Sequence, residues 1–133
     1  MLKFGVVFQL RDEHMRAFQA VAEDNFEQRA VLHLRTYLPE PAAAYSDDEL
    51  RGGVRSGEAR ARHYGFRSER QIMCFVDTMF LLGPRFDASP QHAWARQILN
   101  NDKATPDRRA GTLLDQAERL SGYRKPARRK PGP

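Results

Sequence analysis

The sequence predicts an all-α protein: a single-domain bundle of about five helices, with a short extended N-terminal arm and a disordered basic C-terminal tail. Most apolar residues recur at spacings of three and four, as they do on one face of a helix. Several of these segments begin with capping residues and end in glycine or proline. A chain of 133 residues is long enough for one hydrophobic core. We expect the arm at residues 1–10, the bundle at 11–122 and the tail at 123–133.

The stretch from Ser68 to Phe86 is the most apolar part of the chain and predicts its central helix. Ser68 and Gln71 have the spacing of a capping box, and Gly83 followed by Pro84 ends the helix. Apolar residues cover more than one of its faces, and a helix of this kind is usually buried on most sides. These residues are Ile72, Met73, Phe75, Val76, Met79, Phe80 and Leu82.

A long amphipathic helix is predicted before it, from Asp12 to about Leu38. Pro39 and Pro41 end this helix, and a helix of such length can break near Asp24. His33 lies beside its apolar face and is expected to be a half-buried structural residue. The apolar face is formed by Met15, Phe18, Ala22, Phe26, Ala30, Leu34 and Leu38.

The next helix has well-marked ends. Ser46 and Glu49 have the spacing of a capping box, and Gly65 is a suitable left-handed residue for its end. Gly53 and Gly57 lie one turn apart beside its apolar stripe. Glycine in a helix interior is unfavourable, so we expect both to allow close packing against a neighbouring helix.

Two shorter helices are predicted after the central one. Each begins with a capping residue followed by proline, first at Ser89-Pro90 and then at Thr105-Pro106. Gly122 closes the second of them.

The positive charge is concentrated in the tail. The formal net charge is +5, and residues 123–133 carry five basic residues and no acid, so the rest of the chain is neutral. Such a tail attracts any polyanion weakly and without sequence preference. Its basic residues are Arg124, Lys125, Arg128, Arg129 and Lys130.

Composition argues against several classes of protein. No apolar run approaches the roughly 20 residues that span a bilayer, and the first residues lack the pattern of a signal peptide. The single cysteine, Cys74, excludes an internal disulfide framework and a cysteine-rich metal site. We therefore expect a cytoplasmic protein without a membrane partner.

The sequence offers no catalytic motif. No two histidines have the spacing of a metal-binding helix, and no phosphate-binding glycine loop is present. His63 beside Tyr64 could act as a general base, but a solvated helix end explains it better. Cys74 lies in an apolar helix, where cysteine is typically inert packing. We expect no catalytic residue, no metal, no cofactor and hence no enzyme.

Nucleic-acid binding is the alternative function. The sequence argues against a helix-turn-helix motif. Its recognition helix would be the most apolar helix of this chain, whereas contacts to base edges need polar side chains. Arg51, Arg55 and Arg62 of the second predicted helix could instead contact phosphates, together with the basic tail.

A spaced pattern of residues runs through about residues 10–120. It consists of Phe26, Arg29, His33-Leu34-Arg35, Leu38-Pro39, Leu50-Arg51, Val54-Arg55, Gly57, Ala61-Arg62-His63-Tyr64-Gly65-Phe66, Glu69-Arg70, Phe75, Met79, Leu82-Gly83-Pro84-Arg85-Phe86-Asp87, Trp94-Ala95 and Ile98-Leu99. This pattern resembles the small uncharacterised helical proteins encoded beside spike and effector genes of bacterial type VI secretion systems. The apolar start of the chain and the basic tail depart from it, and it brings no catalytic residues with it.

The resemblance implies an accessory protein: an adaptor, a chaperone or an immunity-type partner of a secreted toxin. Its partner would be a protein, either a secreted effector or a spike component. It leaves open the choice among these roles and the oligomeric state. We expect the charged flank of the second helix to orient the partner, and a part of the central helix left uncovered to bind it. The candidate residues are Arg51, Arg55, Arg62, His63, Met73, Val76 and Phe80.

Overall fold

The structure, a computed structural model, describes residues 24–123, which form six α-helices and no strand. The all-α prediction is confirmed. The expected arm, the first half of the first predicted helix and residues 124–133 lie outside the described part. The helices are α1 (24–37), α2 (Pro39–Ala42), α3 (Asp47–His63), α4 (Glu69–Leu82), α5 (Ala93–Leu99) and α6 (Pro106–Ser121), with 3-10 turns at Phe86–Ala88 and Pro90–His92.

Helix α4 is the centre of the bundle, as predicted. It packs extensively against both α6 and α3. Half of its residues are buried, because apolar side chains surround it instead of forming one stripe. The buried ones are Ile72, Cys74, Phe75, Val76, Asp77, Thr78 and Met79.

The ends of α3 and α4 follow the predicted capping signals. The Ser46 hydroxyl accepts a hydrogen bond from the Glu49 amide at 3.2 Å, and the Glu49 carboxylate accepts one from the Ser46 amide at 2.9 Å. Ser68 and Gln71 form the same reciprocal pair at the start of α4. Each pair satisfies two amides that the first turn leaves without partners.

The two glycines of α3 allow it to approach α4 closely, as predicted. A Cβ atom at Gly57 would lie 2.7 Å from Val76 Cγ2 and 2.8 Å from Met79 Sδ. At Gly53 it would lie 3.1 Å from the ring of Phe80. Side chains of α4 therefore occupy the space that a side chain at position 57 would need.

Two helix boundaries differ from the prediction. Leu38 leaves the helical conformation, but Pro39 then opens α2, because proline suits the first turn of a helix as well as it disfavours the interior. Ser89 makes no side-chain cap, so Pro90–His92 is a 3-10 turn and α5 begins only at Ala93. The Thr105 cap of α6 is confirmed, since its hydroxyl accepts a hydrogen bond from the Arg108 amide at 3.2 Å.

Arg109 joins the ends of three helices. Its Nη1 donates to the carbonyl oxygen of Tyr64 at 2.9 Å, where α3 ends, and to that of Leu99 at 2.7 Å, where α5 ends. The guanidinium lies over the Phe66 ring at 5.3 Å from its centroid. The first turns of α6 are thus fixed to the rest of the bundle by charge-assisted hydrogen bonds.

Within residues 24–123, no helix has both the length and the apolar character that crossing a membrane requires.

Candidate partner-binding groove

A groove of about 450 Å³, which we call the central groove, lies between α1, α4 and α6. It exposes part of α4, the helix that the others surround. Its floor is largely apolar and its rim is charged. The lining residues are Phe26, Arg29, Ala30 and His33 of α1, Glu69, Arg70, Met73, Cys74 and Asp77 of α4, and Leu114 of α6.

The central groove exposes a different strip of α4 from the one expected. Met73 lines the groove, but Val76 is completely buried, so its expected place on an uncovered face is wrong. The reason is Gly57, which lets α3 lie directly on Val76. Phe80 lies two turns after Met73, outside the central groove, and is half-buried with its ring edge-on to Tyr45 at 5.8 Å between centroids.

A histidine–aspartate pair lies at one end of the central groove. The side chain of Asp77 is only 2% exposed, and His33 Nε2 lies 2.9 Å and 3.0 Å from its two carboxylate oxygens. His33 is 29% exposed and packs beside the ring of Tyr37. A buried carboxylate needs such a partner, because an unpaired charge is costly to remove from water. His33 is the half-buried structural residue that the sequence predicts.

The rim of the central groove carries charges of both signs. Arg29 Nη2 lies 2.5 Å from Glu69 Oε2, and both side chains are more than half exposed. Arg70 is 64% exposed and lies 3.7 Å from Asp107 of α6. Exposed pairs of this kind contribute about 0–1 kcal/mol each, so they can be exchanged for pairs with a partner at little cost.

The arginines of α3 are engaged in ion pairs. Arg51 Nη1 lies 2.7 Å from Asp24 Oδ1, and Arg55 Nε lies 2.9 Å from Glu27 Oε2. The hydrogen bond to Asp24 raises the pKa of Arg51. These pairs connect α1 to α3. The sequence shows only that both arginines lie on a polar flank of their helix, so it does not predict this structural role.

Arg62 and His63 lie near the end of α3. Arg62 Nη2 is 3.0 Å from Glu58 Oε2, one turn earlier in the same helix. His63 is exposed, and its ring packs edge-on against Tyr64 at 5.4 Å between centroids. This agrees with a solvated helix end. The roles of all four α3 residues in partner binding stay predictions.

The polar cluster at this end of α3 is centred on Asp87, the last residue of the Leu82–Asp87 run in the spaced pattern. Arg60 forms an ion pair with Asp87, and the Tyr64 hydroxyl donates a hydrogen bond to the same carboxylate at 2.8 Å. Arg60 also lies over the Phe75 ring, and its burial lowers its pKa. No local sequence pattern indicates that Asp87 is buried or that Arg60 and Tyr64 are its partners. The cluster secures the turn between α4 and α5.

No group of three or more histidine, cysteine or acidic residues within residues 24–123 could hold a metal ion. Cys74 is 7% exposed on the floor of the central groove.

Comparison with protein-family models, with curated proteins and with solved structures finds no match to this chain. The resemblance to type VI-associated proteins thus stays a prediction from the sequence pattern.

Proposed function

We propose that this protein is a non-enzymatic protein-binding module that takes an apolar segment of a protein partner into the central groove. The observation that carries the proposal is the groove itself. The groove has a volume of about 450 Å³, opens between three helices and has a largely apolar floor. An amphipathic helix with apolar side chains three and four residues apart is the segment that such a groove between helices accepts.

The floor of the central groove provides the affinity. Phe26, Ala30, Met73 and Leu114 present apolar surface from three helices. Burying one leucine-sized side chain there contributes about 1.5–3 kcal/mol before the costs of association. Met73 adds adaptability, since methionine is unbranched and polarizable and fills irregular contacts.

The rim provides orientation. Arg29 of α1 and Glu69 of α4 place opposite charges on facing helices, and Arg70 adds a positive charge next to Glu69 on α4. A partner with the complementary pattern of charges would replace these exposed pairs with its own. Such charge patterns affect specificity and association rate more than affinity.

We further propose that the partner is a secreted effector or spike component of a type VI secretion cluster, and that the protein acts in the cytoplasm as its adaptor, chaperone or immunity-type partner. The support for this step is the sequence pattern alone. The nucleic-acid alternative is weaker, because Arg51, Arg55 and Arg62 are paired with carboxylates and do not form an unneutralised strip.

Co-expression with the product of each flanking gene, followed by size-exclusion chromatography, tests the proposal. We expect one of them to co-elute with the protein. Met73→Gln should weaken that complex at least about tenfold, since it removes apolar contact from the floor. Leu32→Gln is the matched control, because Leu32 is 67% exposed on α1 and does not line the groove.

Separate elution of every pair would refute the proposed function. So would equal losses of affinity in Met73→Gln and Leu32→Gln, provided that circular dichroism shows both variants to be folded. In that case the partner would bind a different surface.

A further inference from the structure

A second, smaller groove of about 250 Å³ lies at the carboxyl end of α4 and shares no lining residue with the central groove. We call it the aromatic groove, and define it by Pro41 of α2, Tyr45 and Glu49 at the start of α3, and Phe80 and Pro84 at the end of α4. Tyr45 is 45% exposed and packs edge-on against Phe80 at 5.8 Å. Two prolines and two aromatic rings therefore form an open, largely apolar surface.

The surroundings of the aromatic groove are acidic. Glu49 lines it, Glu40 of α2 and Asp48 of α3 are exposed beside it, and the carboxyl end of α4 adds partial negative charge. Asp47 is the neighbouring acid that is neutralised, since it lies 2.9 Å from Arg35 Nη2. A segment that fits this groove should therefore combine apolar or proline residues with positive charge.

We propose that the aromatic groove binds the chain's own C-terminal segment, residues 124–133. That segment contains five basic residues, three prolines and no acid. Prolines in an extended segment pack well on aromatic-lined grooves, and arginine and lysine are attracted to tyrosine rings. Glu40, Asp48 and Glu49 supply the complementary charge.

The position of Tyr123 brings the segment to this side of the bundle. Its hydroxyl donates a hydrogen bond to the carbonyl oxygen of Tyr37 at 3.2 Å, at the end of α1. Pro41 follows Tyr37 by four residues, so it lies at most about 14 Å further along the chain. Ten residues in the proline-rich extended form reach about 31 Å, which is sufficient to cover the groove.

This contact would change how the basic tail interacts with polyanions. Its cations would be partly engaged by the protein's own carboxylates, so external polyanions would have to compete for them. The tail then acts as an internal ligand of the aromatic groove, and the central groove, which shares no lining residue with it, stays accessible to a protein partner.

Zero-length carbodiimide cross-linking of the full chain tests the proposal, because it joins lysines only to carboxylates in direct contact. The chain has four lysines, at positions 3, 103, 125 and 130, so the cross-links of the tail can be assigned by mass spectrometry. We expect Lys125 or Lys130 to be joined to Glu40, Asp48 or Glu49 in the monomer band.

The variant Glu40→Gln/Asp48→Asn should lower the yield of the cross-link that remains, at Glu49, by about fivefold, because two of the three attracting charges are gone. Tyr45→Ser should lower the Glu40, Asp48 and Glu49 cross-links of the tail to a similar extent. Asp115→Asn is the matched control, since Asp115 is an exposed acid on α6, and it should leave them unchanged.

Three results would overturn the proposal. Cross-links from the tail to Asp115 and Glu118 as frequent as those to the groove would indicate non-specific attraction. Cross-links confined to a covalent dimer would assign the groove to the tail of a second copy. An unchanged yield in Tyr45→Ser would show that the tail contacts acids but not the aromatic groove.

Discussion

The close contact of α3 with α4 at Gly57 gives the sharpest test of the packing. In Gly57→Ala the new Cβ atom would lie 2.7 Å from Val76 Cγ2 and 2.8 Å from Met79 Sδ. Both distances are shorter than a van der Waals contact. Val76 is completely buried and cannot move outward. Overpacking of this kind costs about 1–3 kcal/mol, and the better helix propensity of alanine returns up to about 1 kcal/mol.

Gly52→Ala is the matched control in the same helix. No atom lies within 4 Å of the position that its Cβ would occupy, so only the helix propensity changes. We expect this variant to be stabilised by about 0.5–1 kcal/mol, and Gly57→Ala to be less stable than Gly52→Ala by about 1–3 kcal/mol. Gly53→Ala should lie between them, because its Cβ would meet the half-buried ring of Phe80 at 3.1 Å.

Urea denaturation followed by circular dichroism measures the free energy of unfolding of the three variants. For a chain of this length, each kcal/mol corresponds to about 4 °C in Tm, so thermal melting gives a second reading. The reasoning is refuted if Gly57→Ala is as stable as Gly52→Ala. That result would mean that α3 and α4 do not approach each other as closely as the packing at Val76 requires.

Two further predictions concern single polar residues. His33→Ala should lower the free energy of unfolding by about 1–3 kcal/mol, because it leaves the buried Asp77 carboxylate without its imidazole partner; in an Asp77→Asn background the same change should cost less, and equal costs in a double-mutant cycle would contradict the pairing. Arg109→Lys should cost a similar amount, about 1–3 kcal/mol, because a lysine ammonium cannot replace the planar guanidinium that bonds two helix-terminal carbonyls. Arg108→Lys, at an exposed neighbouring position, should change stability by less than about 0.5 kcal/mol in the same urea titration, and an equal loss there would contradict the role of Arg109.

The helices were predictable wherever the signal is local. Ser46 with Glu49 and Ser68 with Gln71 act within one turn, so the sequence alone identifies both helix starts. The central position of α4 was also predictable, because a helix with apolar residues on more than one face has no wide polar face to expose to solvent. The effect of Pro39 was harder to predict, because this residue both prevents α1 from continuing and opens α2.

The candidate groove was less predictable, because it depends on how the helices cross. The uncovered strip of α4 lies near Met73 and Asp77 instead of Val76, and that choice follows from the contact that Gly57 makes. Asp77 is a lone acid inside an apolar helix, which indicates a partner without identifying it. Its partner His33 lies 44 residues earlier, beyond the range of local patterns.

The ion pairs of the α3 arginines were likewise not predictable from the sequence. Arg51 and Arg55 look like a solvated flank in the sequence, and their acidic partners are 27 and 28 residues earlier on α1. Sequence periodicity gives the face of a helix on which a residue lies, but it does not give the helix that faces it.

Arg109 has a mechanical consequence for the central groove. The wall formed by α6 is fastened at its first turns to the ends of α3 and α5 through one guanidinium. The wall formed by α1 is held by buried apolar side chains such as Leu34, by the pair of His33 with the buried Asp77, and by ion pairs at the surface. Because both walls are fixed, we expect the width of the groove to limit the size of the side chain that a partner can insert.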